Sequence, residues 1–266
     1  MLPSPILIFA MMTAPLTNCG AVQQLQPQTY TLVLRSADLP EQDRQDILAS
    51  TEVSACNALV VSEIVARKVR GLGYLQATVQ EQEQEIDHHI QLTENITAGI
   101  RYRLRAIKVV RATVFPPDQL RKEVHLNPGD VASGSEIVNS LERIRVLYGN
   151  KGYVDTVITP TVCFDSRQGL VDVTLEMDEG RPYRFGELLL NGVEPYPGAA
   201  KQLTASWKPL RGQTFNLSLL DKWLRANQTG CPSCTAERNI TVADHGILSP
   251  SNLLDVTLHL PPRPFP

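Results

Sequence analysis

The sequence predicts an α+β protein of three tandem two-layer repeats, each running strand, helix, helix, strand, strand, with two helices over a three-stranded mixed sheet. Three echoes with one period near 80 residues carry this. Residues 253–260 read LLDVTLHL and residues 170–177, 83 positions earlier, read LVDVTLEM, with five of eight positions identical. Both alternate apolar with polar side chains, the mark of a half-buried strand. Tyr102-Arg103-Leu104 returns 81 positions later as Tyr183-Arg184-Phe185, and Gly73-Tyr74 returns 79 positions later as Gly152-Tyr153.

The middle period shows the unit most clearly. Residues 102–110 alternate as a first strand, with Tyr102, Leu104, Ala106 and Lys108 on one side and Arg103, Arg105, Ile107 and Val109 on the other. Pro116-Pro117-Asp118 opens a short helix over 119–124, because proline is accepted in a first helical turn. Asn127-Pro128-Gly129-Asp130 reads as a turn. Ser133 or Ser135 can cap a longer helix in which Ile137, Val138, Leu141, Ile144 and Leu147 follow 3-4 spacing, and Gly149 and Gly152 stop it. A hairpin closes the unit: strand 154–164, turn 165–169, strand 170–178.

The outer repeats follow the same order. In the first, a strand is expected over 29–34, helices over 40–49 and 58–69, and a hairpin of 75–82 with 85–93. In the third, a strand covers 183–190, helices 199–207 and 217–226, and closing strands 238–243 and 253–260. The predicted boundaries are 28–100, 101–181 and 182–262, with a proline-rich tail at 263–266 that cannot join a sheet interior. About 80 residues make a marginal core, so stacking between neighbours is expected to matter.

Composition narrows function. The 266 residues carry a net charge of −3 and 42% hydrophobic residues. A basic stripe for nucleic acid is missing, and the densest run (Arg101, Arg103, Arg105, Lys108) reads as a solvated sheet face. Residues 1–21 are uncharged, with an apolar run over 5–12. That run is far shorter than the roughly 20 residues of a spanning helix. It is expected to be a signal peptide cleaved after Ala21 or, alternatively, a lipoprotein signal modified at Cys19.

Gly152-Tyr153-Val154, the run from Leu170 through Asp178-Glu179-Gly180, and Tyr183-Arg184-Phe185-Gly186-Glu187-Leu188 with Asn191-Gly192 together resemble the repeat junction of POTRA domains. These are the periplasmic modules of BamA-like outer-membrane assembly and translocation proteins. The resemblance covers roughly residues 28–262. It implies a periplasmic, outer-membrane-associated scaffold whose partners are unfolded outer-membrane β-barrel polypeptides or an assembly complex, with no membrane barrel within these repeats. It also implies that the second strand of a repeat is the edge that adds a client strand. That maps onto Val154, Thr156, Val157, Ile158 and Thr159, and less closely onto 77–80 and 239–242.

Enzyme chemistry has little to stand on. Cys231 and Cys234 form a CxxC, but it follows a helix and precedes a strand, where a loop disulfide is expected rather than a thiolate at a helix start. A thiol-disulfide oxidoreductase built on this pair is the competing hypothesis, and a structural spacer without clients is another. Sequence leaves open whether Cys56 and Cys163 pair. His88 and His89 fall on opposite strand faces, Glu81, Glu83 and Glu85 read as a solvated edge, and Asp178-Glu179 reads as a turn. No catalytic residue, cofactor, metal site or small-molecule substrate is expected.

Overall fold

The computed structural model describes residues 29–54, 57–86, 89–192, 197–227, 240–244 and 252–259. One element order occurs three times. It runs β1 (Thr29–Arg35), α1 (Glu41–Ala49), a 3-10 turn (Ala58–Val60), α2 (Val61–Gly71), β2 (Thr78–Ile86) and β3 (His89–Thr97). It continues as β4 (Arg103–Val110), α3 (Pro117–Lys122), α4 (Gly134–Gly149), β5 (Val157–Asp165) and β6 (Leu170–Asp178). It closes as β7 (Arg184–Asn191), α5 (Pro197–Trp207), α6 (Leu217–Ala226), β8 (Ile240–Asp244) and β9 (Leu253–His259). The sheets are ordered β1-β3-β2, β4-β6-β5 and β7-β9-β8. In each, the last strand lies in the centre, parallel to the first and antiparallel to the second.

The alternation explains why the last strand is central. Val171, Val173, Leu175 and Met177 of β6 are buried against Tyr102, Leu104, Leu120, Leu141, Ile144 and Tyr148. Leu254, Val256 and Leu258 of β9 are buried with Phe185, Trp207, Phe215 and Trp223. The indole N–H groups there are satisfied: Trp207 donates to the Gly186 carbonyl at 3.0 Å and Trp223 to the Ser206 hydroxyl at 3.1 Å.

The shared aspartate of the LVDVTL and LLDVTL echoes sits opposite a break in register. The β4–β6 ladder slips between Leu104 and Ala106, and the β7–β9 ladder slips between Phe185 and Leu188. At the first slip, Arg105 Nε donates to both oxygens of Asp172 at 3.0 and 3.1 Å. At the second, the backbone N–H of Glu187 donates to Asp255 at 2.6 Å. The corresponding position of β3 is Gln91, and β1 pairs with β3 without a slip. The slip turns Ile107 and Val109, expected on the arginine side, onto the core, while Arg101, Arg103, Arg105 and Lys108 are all exposed. Arg101 donates to the Leu72 carbonyl, Arg103 to the Gly129 carbonyl, and Arg105 to Asp172 and Asp165. Each guanidinium is tied to a different element.

In the first two repeats a second tie joins the exit of the central strand to the loop after the first strand. In the first repeat Asp38 accepts the N–H groups of Ala98 and Gly99, at 3.0 and 2.8 Å, and these bonds with Ser36 hold its pKa below the ordinary value. In the second the carboxylate comes from the other side. Glu179, at the β6 exit, accepts the N–H groups of Thr113 and Val114, at 2.8 and 2.9 Å.

The hairpin of the first repeat lies four residues beyond its expected place. β2 continues to Ile86 and β3 begins at His89, because the alternating Gln and Glu of 80–85 contain no turn residue. His89 lies beside β1, with Nδ1 2.9 Å from the Thr29 hydroxyl. Asp87 and His88 lie outside the described residues.

Consecutive repeats meet through one recurrent joint. Tyr102 N–H donates to the Gly73 carbonyl and Tyr183 N–H to the Gly152 carbonyl, each at 2.9 Å. Alongside, the C-terminal end of α2 abuts the N-terminal end of α4, where a β-carbon on Gly71 would meet Ser135 Oγ at 3.0 Å. The end of α4 likewise abuts α6, and a β-carbon on Gly149 would meet Leu217 Cδ1 at 2.2 Å. Asn150 bridges the second joint. Its carbonyl accepts from Asn216 Nδ2 at 2.8 Å, and its side-chain Oδ1 accepts the Ser218 N–H in the first turn of α6 at 2.9 Å. Asn150→Ala removes this second cap and is expected to cost about 1 kcal/mol, read as a lower denaturation midpoint for the third repeat.

Candidate functional site

An edge strand can take up another chain only if its outer backbone groups are free. The first strands of the second and third repeats fail this condition at their starts. Leu104 N–H donates to the Asp130 carbonyl at 2.9 Å, Gly129 N–H to the Leu104 carbonyl at 2.8 Å and Ala132 N–H to the Tyr102 carbonyl at 3.0 Å. The turn read at 127–130 therefore covers the start of β4. The segment 212–215 does the same for β7, through Phe185 N–H to Gln213 and Phe215 N–H to Tyr183, both at 2.9 Å. On the opposite side of the middle sheet, β5 pairs with β6 alone among the described residues.

β5 suits an edge in other ways. Pro160, opposite Leu175, has no N–H and would cost a ladder bond in a central strand. Ile158 is buried under the helices and Val162 packs on the same core, while Val157 is 54% exposed and Thr159, Thr161 and Cys163 are exposed with it. Phe164 rests on Tyr102 with ring centroids 4.9 Å apart. The strand carries no charge before Asp165. β2, by contrast, carries Glu81, Glu83 and Glu85, all exposed. β8 is also an edge of its sheet.

Three of the five residues assigned to the edge lie in β5: Val157, Ile158 and Thr159. The other two do not. Val154 precedes the strand and packs against the core of the third repeat. Thr156 is buried, its hydroxyl donating to the Tyr153 and Glu179 carbonyls at 3.0 and 3.2 Å. The chain must still turn after Gly152, which has φ +90°, so pairing starts three residues later than the apolar run suggests. The open edge is Val157–Asp165.

Two carboxyl groups matter more than the sequence indicated. Glu179, read there as part of a turn, also accepts the Tyr148 phenol at 2.6 Å and the Thr113 hydroxyl. Burial would raise its pKa, but the bonds from Thr113, Tyr148 and the Val114 N–H prevail and hold it at about 2. Burial and the hydrogen bond to Glu179 push the Tyr148 phenol well above its ordinary range. Glu94 was overlooked entirely. It lies on the helix-facing side of β3, fully buried, at the position that Leu175 fills in β6. The Ser62 hydroxyl is 2.8 and 3.0 Å from its two oxygens, and Glu81 faces it across the β2–β3 ladder. Burial raises its pKa most, Ser62 opposes, and Glu81 adds to the rise, leaving it at about 7. Aligning the repeats at the 81-residue period puts Glu94 against Leu175, a signal the sequence does contain.

Among the described residues no three His, Cys, Asp or Glu gather as a metal site, and no helix is long and apolar enough to cross a membrane. Cys163 is a free, exposed thiol. Cys19, Cys56, Cys231 and Cys234 lie outside the described residues, as does the 1–21 leader.

Comparison with known proteins agrees with this geometry. Residues 102–180 match the family model described as POTRA, surface antigen variable number repeat. No curated protein matches the chain. The crystal structure of POTRA domains 3–5 of Haemophilus influenzae BamA is similar at TM-score 0.70 and 16% identity, over 88% of this chain and 95% of that one. POTRA 1–3 of Omp85 from Anabaena is 13% identical over 90% of this chain and 96% of that one, at TM-score 0.38. POTRA 4 of H. influenzae BamA is 23% identical over 31% of this chain and 95% of that one, at TM-score 0.29. The first of these shares the fold along most of the present chain, and the family match falls on the repeat with the open edge. Residues 102–180 match the POTRA family, and most of the chain shares the fold of the BamA POTRA repeats.

Proposed function

We propose that this chain is a periplasmic, outer-membrane-associated scaffold without enzymatic activity. It holds unfolded outer-membrane β-barrel polypeptides, or a subunit of an assembly or secretion complex, by β-augmentation on β5. The observation that carries this is the free outer side of Val157–Asp165, uncharged before Asp165, in a sheet whose other edge is occupied at its start by its own turn. A client laid beside β5 extends the order β4-β6-β5 by one strand and binds through backbone groups. Each added hydrogen bond contributes only about 0.5–1.5 kcal/mol net. Binding is therefore weak and tolerant of sequence, which suits transient handling of many clients.

The test is an NMR titration of the full chain with synthetic peptides copied from outer-membrane β-strands. Amide shifts should concentrate on residues 157–165. Thr159→Lys combined with Thr161→Lys, which places charge on exposed side chains of the edge strand, should weaken binding severalfold while leaving the spectrum of the other repeats unchanged. A titration that moves no β5 amide sinks the proposal in favour of a spacer.

A further inference from the structure

The cross-strand carboxyl pair of the first repeat, buried Glu94 and exposed Glu81, plays no part in capturing a strand at β5. Glu94 lies on the central strand, held on one side by β1 and on the other by β2. Glu81 is its direct cross-strand partner, and the Ser62 hydroxyl of α2 sits over both, 2.8 Å from Glu94 Oε2 and 3.2 Å from Glu81 Oε2. The other repeats fill the central-strand position with Leu175 and Leu258, both buried. A buried carboxyl in place of leucine costs stability unless something compensates.

No cation compensates it. β1 presents Leu34 at the paired position, with Arg35 exposed and opposite Asn95. α2 contributes Ser62 with buried Val61 and Val65. Of its charged groups, Lys68 is committed to the carbonyl and hydroxyl of Ser50, and Glu63 and Arg67 are exposed. β2 adds only further acids, Glu83 and Glu85, two and four residues along. Among the described residues neither Glu81 nor Glu94 forms an ion pair, so one proton between them is what can make the arrangement tolerable. The Ser62 hydroxyl lies within hydrogen-bond distance of both carboxyl groups.

We propose that Glu94 and Glu81, joined by one proton beneath Ser62, form a pH-sensitive latch that keeps edge strand β2 on the first sheet in acid and loosens it in base. When the proton leaves to solvent, two like charges stand directly opposite across one ladder, an arrangement that destabilises strand pairing. β3 is anchored by β1 as well, so the relief falls on β2, which has one neighbour only. The raised pKa of Glu94 noted above puts the change near neutrality, within the range an exported protein meets.

Hydrogen exchange on the full chain tests this without any client, so its failure leaves the β5 proposal standing. The β2 amides that are protected at pH 5.5 should lose at least tenfold of their protection by pH 8.0, after correction for intrinsic exchange. Amides of β5 and β6 should not change. Glu94→Gln, neutral at every pH and still able to donate to Glu81, should keep β2 protected throughout. Flat protection in the unmodified chain, or an equal loss in Glu94→Gln, overturns the latch. Should the variant not fold, the carbon-13 titration of the Glu94 carboxyl decides: a midpoint near 7 supports the latch, and one near 4.5 removes it.

Discussion

Gly152→Ala is expected to weaken the joint between the second and third repeats by about 3 kcal/mol, combining left-handed-region strain of about 1–2 kcal/mol with the cost of a steric clash. Gly152 sits at φ +90°, and its new β-carbon would lie 2.7 Å from the Tyr183 carbonyl oxygen and 3.2 Å from Thr214 Cγ2. The near atom is backbone, so relief requires moving the chain that enters β7. That movement strains the bond from Tyr183 N–H to the Gly152 carbonyl. Gly129→Ala is the control. Gly129 has φ +94° with nothing within 4 Å of the added carbon, so it should show the conformational cost of roughly 1 kcal/mol alone. Chemical denaturation gives the energies, and small-angle scattering reads the changed angle between repeats. Equal losses for the two variants would mean that the joint yields freely.

Glu179→Ala is expected to cost the second repeat about 2–3 kcal/mol, because it leaves the Thr113 and Val114 N–H groups and the Tyr148 phenol without their acceptor. Acid should reproduce part of this loss. The Glu179 pKa falls from 4.5 to about 2 on folding, so its contribution is complete above pH 4.5 and disappears as pH drops toward 2. Allowing for its partial exposure, that contribution is on the order of 1–2 kcal/mol. Glu94 slopes the other way. Its pKa is raised on folding, so its contribution is complete below 4.5 and is lost as pH rises through about 7. Glu94 should thus soften the first repeat toward base and Glu179 the second toward acid, with Asp38 adding a smaller acid loss in the first. Urea midpoints followed by repeat-specific NMR signals from pH 3 to 8 check both slopes; Glu179→Ala should flatten only the acid limb.

The elements that sequence placed best are those whose pattern is enforced by burial. Residues 170–178 were bounded correctly because every second side chain enters the core, and 217–226 because Asn216 caps a strongly amphipathic helix. The second-strand edge was reached through the resemblance to POTRA domains, although Pro160 is a local mark of an edge that the sequence also carries. Its first residues were misplaced because Val154 is apolar for the sake of the neighbouring repeat, which no local pattern reveals. Glu179 and Asp38 were opaque in the same way. Their backbone partners lie 60 to 66 residues away, and the tie runs in opposite directions in the two repeats. The acidic run of β2 reads as solvent-facing throughout, yet one of its glutamates faces a buried twin across the ladder.

The joints have a mechanical consequence. Between the end of β6 and the start of β7 the chain has only five residues, and Tyr183, the last of them, is clamped to Gly152. Little slack is left to absorb rotation. A pull delivered sideways on β5 therefore passes as torque into β6, through that short clamp into β7, and along the abutting ends of α4 and α6. Load travels from one sheet to the next through these fixed points, and each glycine sets how stiffly it is passed on.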